Sequence, residues 1–224
     1  MQLARRLAKK LPFLRHKPTQ HPHAAYPNAY RYMSVDDTSQ HDAVFVIDDS
    51  GSIPSDDFNK GLKALRTMIE RAQSEHPGSK FAAIKFSDQA TLLFNFISPD
   101  QAKKKLLNVV HSGGLTNTQD ALKMARRDLF LNPAAWGHWP LVTRLAIVIT
   151  DGGSNIQSDQ TVEQARLLKN IRTEVLVLAV GNFGASGRKE INSIASDPPK
   201  ENVLYLHNFQ YMLDVVEMAV KISK

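Results

Sequence analysis

The chain has 224 residues, of which 42% are hydrophobic and 22% are charged, a composition that suits a globular protein with one sizeable domain. It contains no cysteine, which excludes disulfide bonds, thiolate nucleophiles and zinc sites with Cys ligands. No run of residues approaches the roughly 18–20 apolar positions of a membrane-spanning helix, so we expect no transmembrane segment.

Positive charge is concentrated at the N-terminus. Residues 1–33 hold seven of the 28 Lys and Arg and none of the 22 Asp and Glu, which leaves 21 basic against 22 acidic residues elsewhere. The formal net charge of +6 therefore belongs to this segment, and the rest of the chain is nearly neutral. A nearly neutral folded part disfavours nucleic acid as its partner.

Residues 1–40 are predicted to form a basic, disordered tail that precedes a domain over residues 41–224. Any long helix in this tail would be interrupted by Pro12, Pro18, Pro22 and Pro27. The first residues, MQLARRLAKKLPFLRH, lack the apolar core of a secretory signal peptide. Because they are basic, amphipathic and free of acids, a transit peptide or a membrane-surface segment stays open as a second interpretation.

Strand-like runs alternate with helical runs from residue 43 onward. Six apolar runs are predicted strands: Val44–Asp48, Lys80–Phe86, Thr91–Phe96, Arg144–Thr150, Glu174–Val180 and Asn202–Leu206. Most are continuous runs of Val, Ile and Leu, which indicates strands buried on both faces, as in a parallel sheet. The short turn before Thr91 predicts an antiparallel hairpin and therefore an edge strand.

Helical patterns fill the gaps between these strands. The predicted helices are Ser55–Glu75, Pro99–His111, Thr118–Leu131, Thr161–Asn170, Arg188–Ala195 and Phe209–Ile222. The alternation predicts an α/β fold with a doubly wound open sheet, mostly parallel with one antiparallel edge strand, of Rossmann-like topology. With strand order 3-2-1-4-5-6, ligands bind beyond the carboxyl ends of the first and fourth strands, where the winding reverses.

Oxygen-bearing side chains follow both of these strands. Asp48, Ser50 and Ser52 come at the end of the first strand, and Asp151 follows the fourth. Alternate residues of the short turn Asp-x-Ser-x-Ser point the same way, so that one ion is able to contact all three. A third loop, GGLTNT at residues 113–118, is in position to reach the same crevice. Carboxylates and hydroxyls without imidazole or thiolate suit Mg²⁺, and also Mn²⁺.

The three motifs VFVIDDSGSI, GGLTNTQDAL and IVITDGGSN resemble the metal-ion-dependent adhesion site of von Willebrand factor type A domains. The resemblance extends over residues 42–222, and its C-terminal part is similar to the extracellular domains of type VI collagen, matrilins and integrin inserted domains. It implies five metal-binding residues, with Asp48 and Asp151 acting directly or through water and the hydroxyls acting directly: Asp48, Ser50, Ser52, Thr116 and Asp151.

The same resemblance distinguishes between neighbouring candidates in two of the loops. It assigns the metal-binding hydroxyl of the third loop to Thr116 rather than to Thr118. It places Asp49 at a variable position of the first motif, where the added negative charge lies near the ion and contact with it stays open.

The function that the resemblance implies is a protein-binding module of the adhesion or extracellular-matrix type. Neutral hydroxyl ligands leave the cation electrophilic, so that an Asp or Glu of a protein partner replaces a bound water. No histidine is placed by the sequence as a general base, which favours binding over catalysis and predicts that the chain is not an enzyme. By resemblance we expect an extracellular location.

Several alternatives stay open at this point. The chain is either an extracellular module or a subunit of an intracellular metal-dependent complex, and a domain that keeps the fold with an empty site is a third option. The last helix, Phe209–Ile222, is either a static core helix or a sliding switch of the kind found in integrin inserted domains. The loop Asn132–Thr143, with Trp136 and Trp139, either covers a helix end or forms a second contact surface.

Overall fold

The computed structural model describes residues 1–15, 40–135, 137 and 142–223, and a six-stranded sheet lies at the centre of them. The strands are β1 (His41–Asp48), β2 (Lys80–Phe86), β3 (Ala90–Ile97), β4 (Thr143–Thr150), β5 (Thr173–Val180) and β6 (Val203–Leu206). Their order is β3-β2-β1-β4-β5-β6; β2 and β3 are antiparallel, and the other neighbours are parallel. The predicted doubly wound sheet with its antiparallel edge strand is confirmed.

Helices cover both faces of this sheet. They are α1 (Gln2–Lys10), α2 (Ser55–Glu75), α3 (Pro99–Leu106), α4 (Thr118–Met124), α5 (Ser158–Asn170), α6 (Ala185–Ile194), α7 (Pro199–Asn202) and α8 (Phe209–Ile222). A π-helical segment, Ala125–Phe130, continues α4 directly. The helix predicted from Pro99 to His111 ends early because Leu107 and Val110 are 62% and 74% exposed, so burial does not extend it.

Alternate side chains of β1 enter two separate cores. Phe45 and Ile47 pack on the face that α2 and α8 cover, whereas Val44 and Val46 pack on the face that α4 and α5 cover. This double burial explains why the central strands read as continuous apolar runs. Because β1 and β4 are parallel neighbours at the centre of the sheet, the loops that follow them leave its carboxyl edge side by side.

The first fifteen residues differ from the expected disordered tail. They form α1 and a 3₁₀ turn at Pro12–Leu14. Ala4, Leu7 and Leu11 recur at helical spacing and are buried in the core that contains α2 and α8. The prolines do not prevent this helix, since α1 ends before the first of them. Residues 16–39 of the expected tail lie outside the described residues, as do Trp136 and Trp139 of the loop before β4.

A buried arginine joins the N-terminal segment to the last helix. The Arg71 guanidinium, on α2, donates from Nε to the Leu14 carbonyl at 3.1 Å and from Nη2 to the Ser223 carbonyl at 2.6 Å. Its Nη1 lies 2.6 Å from Glu75 Oε1, which supplies the compensating charge. The N-terminal segment is therefore part of the core rather than an appendage. Every helix of the described ranges is too short or too polar to cross a lipid bilayer.

We expect Phe13→Ala to lower the free energy of unfolding by about 3 kcal/mol or more, the usual cost of deleting a fully buried aromatic ring. The Phe13 ring is inaccessible to solvent and makes an edge-to-face contact with Phe81 at a centroid distance of 5.4 Å. Urea denaturation measures the change, with the exposed Leu107→Ala as the control. Equal, small effects of both substitutions would show that the segment is not packed as described.

Candidate metal centre

Asp48, the last residue of β1, is a buried carboxylate at the carboxyl edge of the sheet. The side chain is 1% exposed and accepts hydrogen bonds from the Ser50 backbone N–H at 3.0 Å and from the Thr150 hydroxyl at 2.6 Å. Burial raises its pKa to about 6, against the lowering effect of these hydrogen bonds and with a smaller raising effect from the charge of Asp151. The carboxylate is therefore held in place by hydrogen bonds, while its burial disfavours the charged form.

Two serines connect this first loop to the loop that follows β4. The Ser50 and Ser52 hydroxyls lie 3.1 Å apart, and the Ser52 hydroxyl donates to Asp151 Oδ1 at 2.9 Å. Burial also raises the pKa of Asp151, with the Ser52 hydrogen bond acting against it. Four of the five residues predicted from the sequence thus form one hydrogen-bonded group: Asp48, Ser50, Ser52 and Asp151.

The third loop is brought to this group by its backbone. The Gly51 N–H donates to the Gly114 carbonyl at 2.9 Å, which fastens the loop to the Asp-x-Ser-x-Ser turn. Gly114 has a φ of +115°, and a Cβ there would lie 3.1 Å from the Asp88 carboxylate oxygens, so this close approach requires glycine. The same carboxylate accepts the Leu115 N–H at 2.8 Å.

Thr116 is held between the third loop and the loop after β4. Its N–H donates to the side-chain oxygen of Asn155 at 2.8 Å, and its carbonyl accepts the Asn155 N–H at 3.0 Å and the Ser154 hydroxyl at 3.1 Å. Thr116 is 5% exposed, whereas Thr118 begins α4. Paired hydrogen bonds from one asparagine leave the threonine little freedom to move relative to the loop that carries Asp151.

Glu190 supports the same loop from α6. Its Oε1 accepts the Ser154 backbone N–H at 2.8 Å, and burial raises its pKa. Neither the motifs nor the resemblance predicted a role at the site for Ser154, Asn155 or Glu190. Ser154 and Asn155 follow directly after Asp151-Gly-Gly, so their polarity in the loop was a usable signal, whereas nothing in the sequence around Glu190 marks it.

The buried Asp49 carboxylate forms an ion pair with the partly exposed Lys85, a contact that the sequence left open. Its Oδ2 lies 2.7 Å from Lys85 Nζ, and its Oδ1 accepts the Ser112 N–H at 3.0 Å, while the Ser112 hydroxyl also donates to this carboxylate. Asp49 is 1% exposed. Lys85 stands opposite Ile47 of β1 and also donates to the Val110 carbonyl at 2.8 Å. A lysine within the apolar run KFAAIKF was the signal that the sequence offered for this pair.

His111 lies close to the first loop without contacting its hydroxyls. Its Nε2 is 3.2 Å from the Ser50 carbonyl oxygen, and its Nδ1 is 3.4 Å from the Ser55 hydroxyl. The ring packs against Phe58 at a centroid distance of 5.1 Å. These contacts are those of a packing residue. Because none of them is to the Ser50 hydroxyl, His111 is not placed as a general base for it.

The predicted ligands suit a hard divalent cation by their chemistry. They are two carboxylates and three hydroxyls, and nowhere in the described ranges do three His, Cys, Asp or Glu side chains converge as they do in an acid-rich or zinc-type site. Burial raises the pKa of both Asp48 and Asp151, so each carboxylate carries a desolvation cost that a nearby cation would offset. Lys85 does not serve that purpose, because its charge lies against Asp49.

Comparison with protein families identifies one match over most of the chain. Residues 42–217 match the model of the von Willebrand factor type A domain. The chain is 33% identical over 182 residues to integrin alpha-X of Mus musculus, covering 78% of this chain and 15% of that protein. It is 32% identical over 181 residues to the collagen alpha-5(VI) chain of Homo sapiens, covering 80% of this chain and 7% of that protein. The chain therefore spans a small part of these relatives.

Among solved structures, proximal thread matrix protein 1 from the mussel byssus has a similar fold. The TM-score is 0.71 at 23% sequence identity, with 81% of this chain and 47% of that chain covered. A second structure of the same mussel protein is described as having a zinc-occupied MIDAS motif. At this level of identity the likeness establishes the fold.

We expect Lys85→Met to lower the free energy of unfolding by about 3 kcal/mol, because it leaves the buried Asp49 carboxylate without a cation. The double variant Lys85→Met/Asp49→Asn should recover much of that loss, since both charges are then gone. Urea denaturation of the two variants provides the test, and the exposed Lys123→Met is the matched control. Additive losses in the double variant would mean that the two side chains do not interact.

Proposed function

The chain belongs to the von Willebrand factor type A domain family, and we propose that it is a divalent-metal-dependent protein-binding module. The observation that carries this proposal is the hydrogen-bonded group of Asp48, Ser50, Ser52 and Asp151 at the carboxyl edge of the sheet. Hydrogen bonds fasten the loop of Thr116 to the loops that carry Ser52 and Asp151. Three separate loops thus meet at the edge where an α/β sheet binds ligands, which supports a shared ion.

Each of these side chains has a role in holding the metal. The Ser50, Ser52 and Thr116 hydroxyls are direct ligands, and the Asp48 and Asp151 carboxylates act directly or through water. Mg²⁺ suits this set, and Mn²⁺ satisfies the same requirements. When bound, the metal supplies an electrophilic centre, because neutral hydroxyls offset little of its charge.

The charge balance of the site admits a carboxylate as the external ligand. Two acids contribute at most the two negative charges that balance a divalent cation, and the Asp49 charge is paired with Lys85, so no excess of negative charge repels an incoming acid. An Asp or Glu of a protein partner completes the coordination, and the surrounding loops set specificity. Since the nearby His111 contacts the Ser50 carbonyl rather than the Ser50 hydroxyl, the arrangement favours binding over catalysis.

The relatives support an extracellular setting for this activity. They include an integrin alpha chain, a type VI collagen chain and a cuticlin of Caenorhabditis elegans. We propose that this chain also works outside the cell, on a matrix or cell-surface protein that presents an acidic residue.

Mg²⁺ should raise the thermal midpoint of the protein, because the ion binds the native site and has no equivalent in the unfolded chain. Ser52→Ala and Asp151→Asn should each weaken Mg²⁺ affinity at least about tenfold, a loss found even for residues that only support a metal ligand. Calorimetric titration with Mg²⁺, Mn²⁺ and Zn²⁺ measures the affinities and the preference among the ions.

The matched controls for that titration are Ser193→Ala and Asp214→Asn, which alter a half-buried side chain on α6 and an exposed one on α8. They should leave the affinity of the wild-type protein unchanged. If Ser52→Ala and Asp151→Asn bound Mg²⁺ as well as these controls, the assigned ligands would be wrong.

Asp48→Asn should have opposite effects on stability with and without metal. A carboxyl group whose pKa is raised on folding destabilises the native state at pH values above the raised pKa. This loss of stability disappears when the pH falls below the ordinary pKa near 3.8, because the group is then protonated in both states. At pH 7.5 in EDTA the variant should therefore be more stable than the wild type, by up to about 3 kcal/mol. In excess Mg²⁺ the wild type should be the more stable protein. The same order in both buffers would contradict a metal role for Asp48.

A further inference from the structure

A cavity of about 430 Å³ lies at the end of the sheet opposite the candidate metal centre. Its lining includes Asp42 and Arg144, which stand near the first residues of β1 and β4, whereas Asp48 ends β1 and Asp151 follows β4. The six residue steps from Asp42 to Asp48 correspond to roughly 20 Å of extended chain. The cavity is therefore separate from the metal loops, and its volume is in the range of small-molecule sites, about 300–1,000 Å³.

Apolar side chains form much of the cavity wall. The rings of Phe96, on β3, and Phe130, on the π-helical segment, lie with their centroids 5.7 Å apart and their planes inclined by 49°. Leu129, Leu131 and Pro133 add aliphatic surface, and Leu131 is 46% exposed, which places it next to solvent. π-Helical turns are uncommon and are frequently found at functional sites, and this one carries both Leu129 and Phe130 to the cavity.

Two opposite charges line the same cavity. Asp42 and Arg144 are cross-strand neighbours in the parallel register of β1 and β4. Because side chains alternate along a strand, both lie on the face of the sheet where Val44 and Ala146 are buried. Asp42 is 3% exposed. Burial lowers the pKa of Arg144, and the negative charge of Asp42 acts against this lowering, so the two charges are close enough to influence each other.

The paired charges select the head group of a ligand. Arg144 donates from Nη1 to the Ile171 carbonyl at 2.9 Å, but a guanidinium has several N–H donors and a carboxylate several acceptor positions, so both groups are able to bind a ligand in addition to protein partners. A head group with a single charge meets a like charge on either Asp42 or Arg144, and partial burial strengthens that repulsion. A head group with both charges meets an opposite charge on each.

We propose that this cavity binds a free α-amino acid with a large apolar side chain. The ammonium group of the ligand lies against Asp42. Its carboxylate lies against Arg144, because the forked guanidinium matches a carboxylate with two parallel hydrogen bonds. Its side chain packs against Phe96 and Phe130, where an aromatic ring gains ring contacts beyond simple burial. This binding needs no metal and is independent of the proposed adhesive function.

Calorimetric titration of the full chain with L-phenylalanine and with L-tryptophan tests the site, in EDTA so that the metal centre takes no part. L-Phenylalanine should bind at least about tenfold more tightly than phenethylamine, which lacks the carboxylate, or 3-phenylpropionate, which lacks the ammonium group, because each analogue loses one charge-assisted contact. Glycine, which lacks the apolar side chain, should bind at least about tenfold more weakly than L-phenylalanine.

Two variants assign the charged contacts separately. Asp42→Asn should weaken L-phenylalanine binding about tenfold and abolish the preference over 3-phenylpropionate, and Arg144→Gln should weaken it similarly and abolish the preference over phenethylamine. The matched controls are Asp128→Asn and Arg127→Gln, which alter exposed side chains of the π-helical segment outside the lining. Both controls should stay within about twofold of the wild type, the change expected from net charge alone.

The ligand series on the wild-type protein keeps the test decisive if a variant does not fold. No measurable binding of either amino acid at millimolar concentration would overturn the proposal. So would equal or tighter binding of an analogue with a single charge, which would mean that Asp42 and Arg144 do not act together on one head group. Equal losses in the cavity variants and in the controls would place the binding elsewhere on the surface.

Discussion

The site depends on one constraint, the burial of the Asp48 carboxylate at the end of the central strand. Because β1 and β4 run parallel side by side, Thr150 delivers its hydroxyl to Asp48 at 2.6 Å, and the next residue, Asp151, starts the neighbouring loop. Topology therefore assembles the two acids, although 103 positions separate them in the chain. Burial of each carboxylate away from water raises the pKa of both acids.

Contacts outside the predicted ligands also hold the loops together. Gly51 and Gly114 join the first loop to the third through their backbones, and Asn155 joins the third loop to the one after β4. The hydroxyls of Ser50 and Ser52 remain on the side of the group that faces Asp151. The Lys85–Asp49 pair then limits the unpaired negative charge at the centre to Asp48 and Asp151, which balances a divalent cation without an excess that would repel an outside carboxylate.

Much of the fold could be predicted from the sequence, because the spacing and the number of apolar residues in a segment indicate which of its faces are buried. The edge hairpin and the bounds of α2 and α8 followed from these patterns, whereas the strand order was assumed from Rossmann-like topology. The convergence of Asp48 with Asp151 followed from topology, and metal binding by the group stays a prediction. The Lys85–Asp49 pair could not be assigned, since a lysine in an apolar run indicates that it has a partner but does not identify that partner.

The prediction of a disordered tail was wrong for residues 1–15, and the reason is a different one. Its charge and prolines suggested a tail, whereas the apolar positions of α1 are satisfied only by α2 and α8, from distant parts of the chain. A sliding movement of α8 stays a prediction. Arg71 donates hydrogen bonds to the carbonyls of both Leu14 and Ser223, and a sliding α8 would have to break the bond to Ser223.

Anomalous diffraction from crystals grown in Mn²⁺ tests the central claim most directly. We predict a single strong peak among the three loops, at about 2.0–2.3 Å from the hydroxyl oxygens of Ser50, Ser52 and Thr116, with at least one coordination position held by solvent or a neighbouring carboxylate. A peak located elsewhere, or a Thr116 hydroxyl too distant to share the ion with Ser52, would contradict the account.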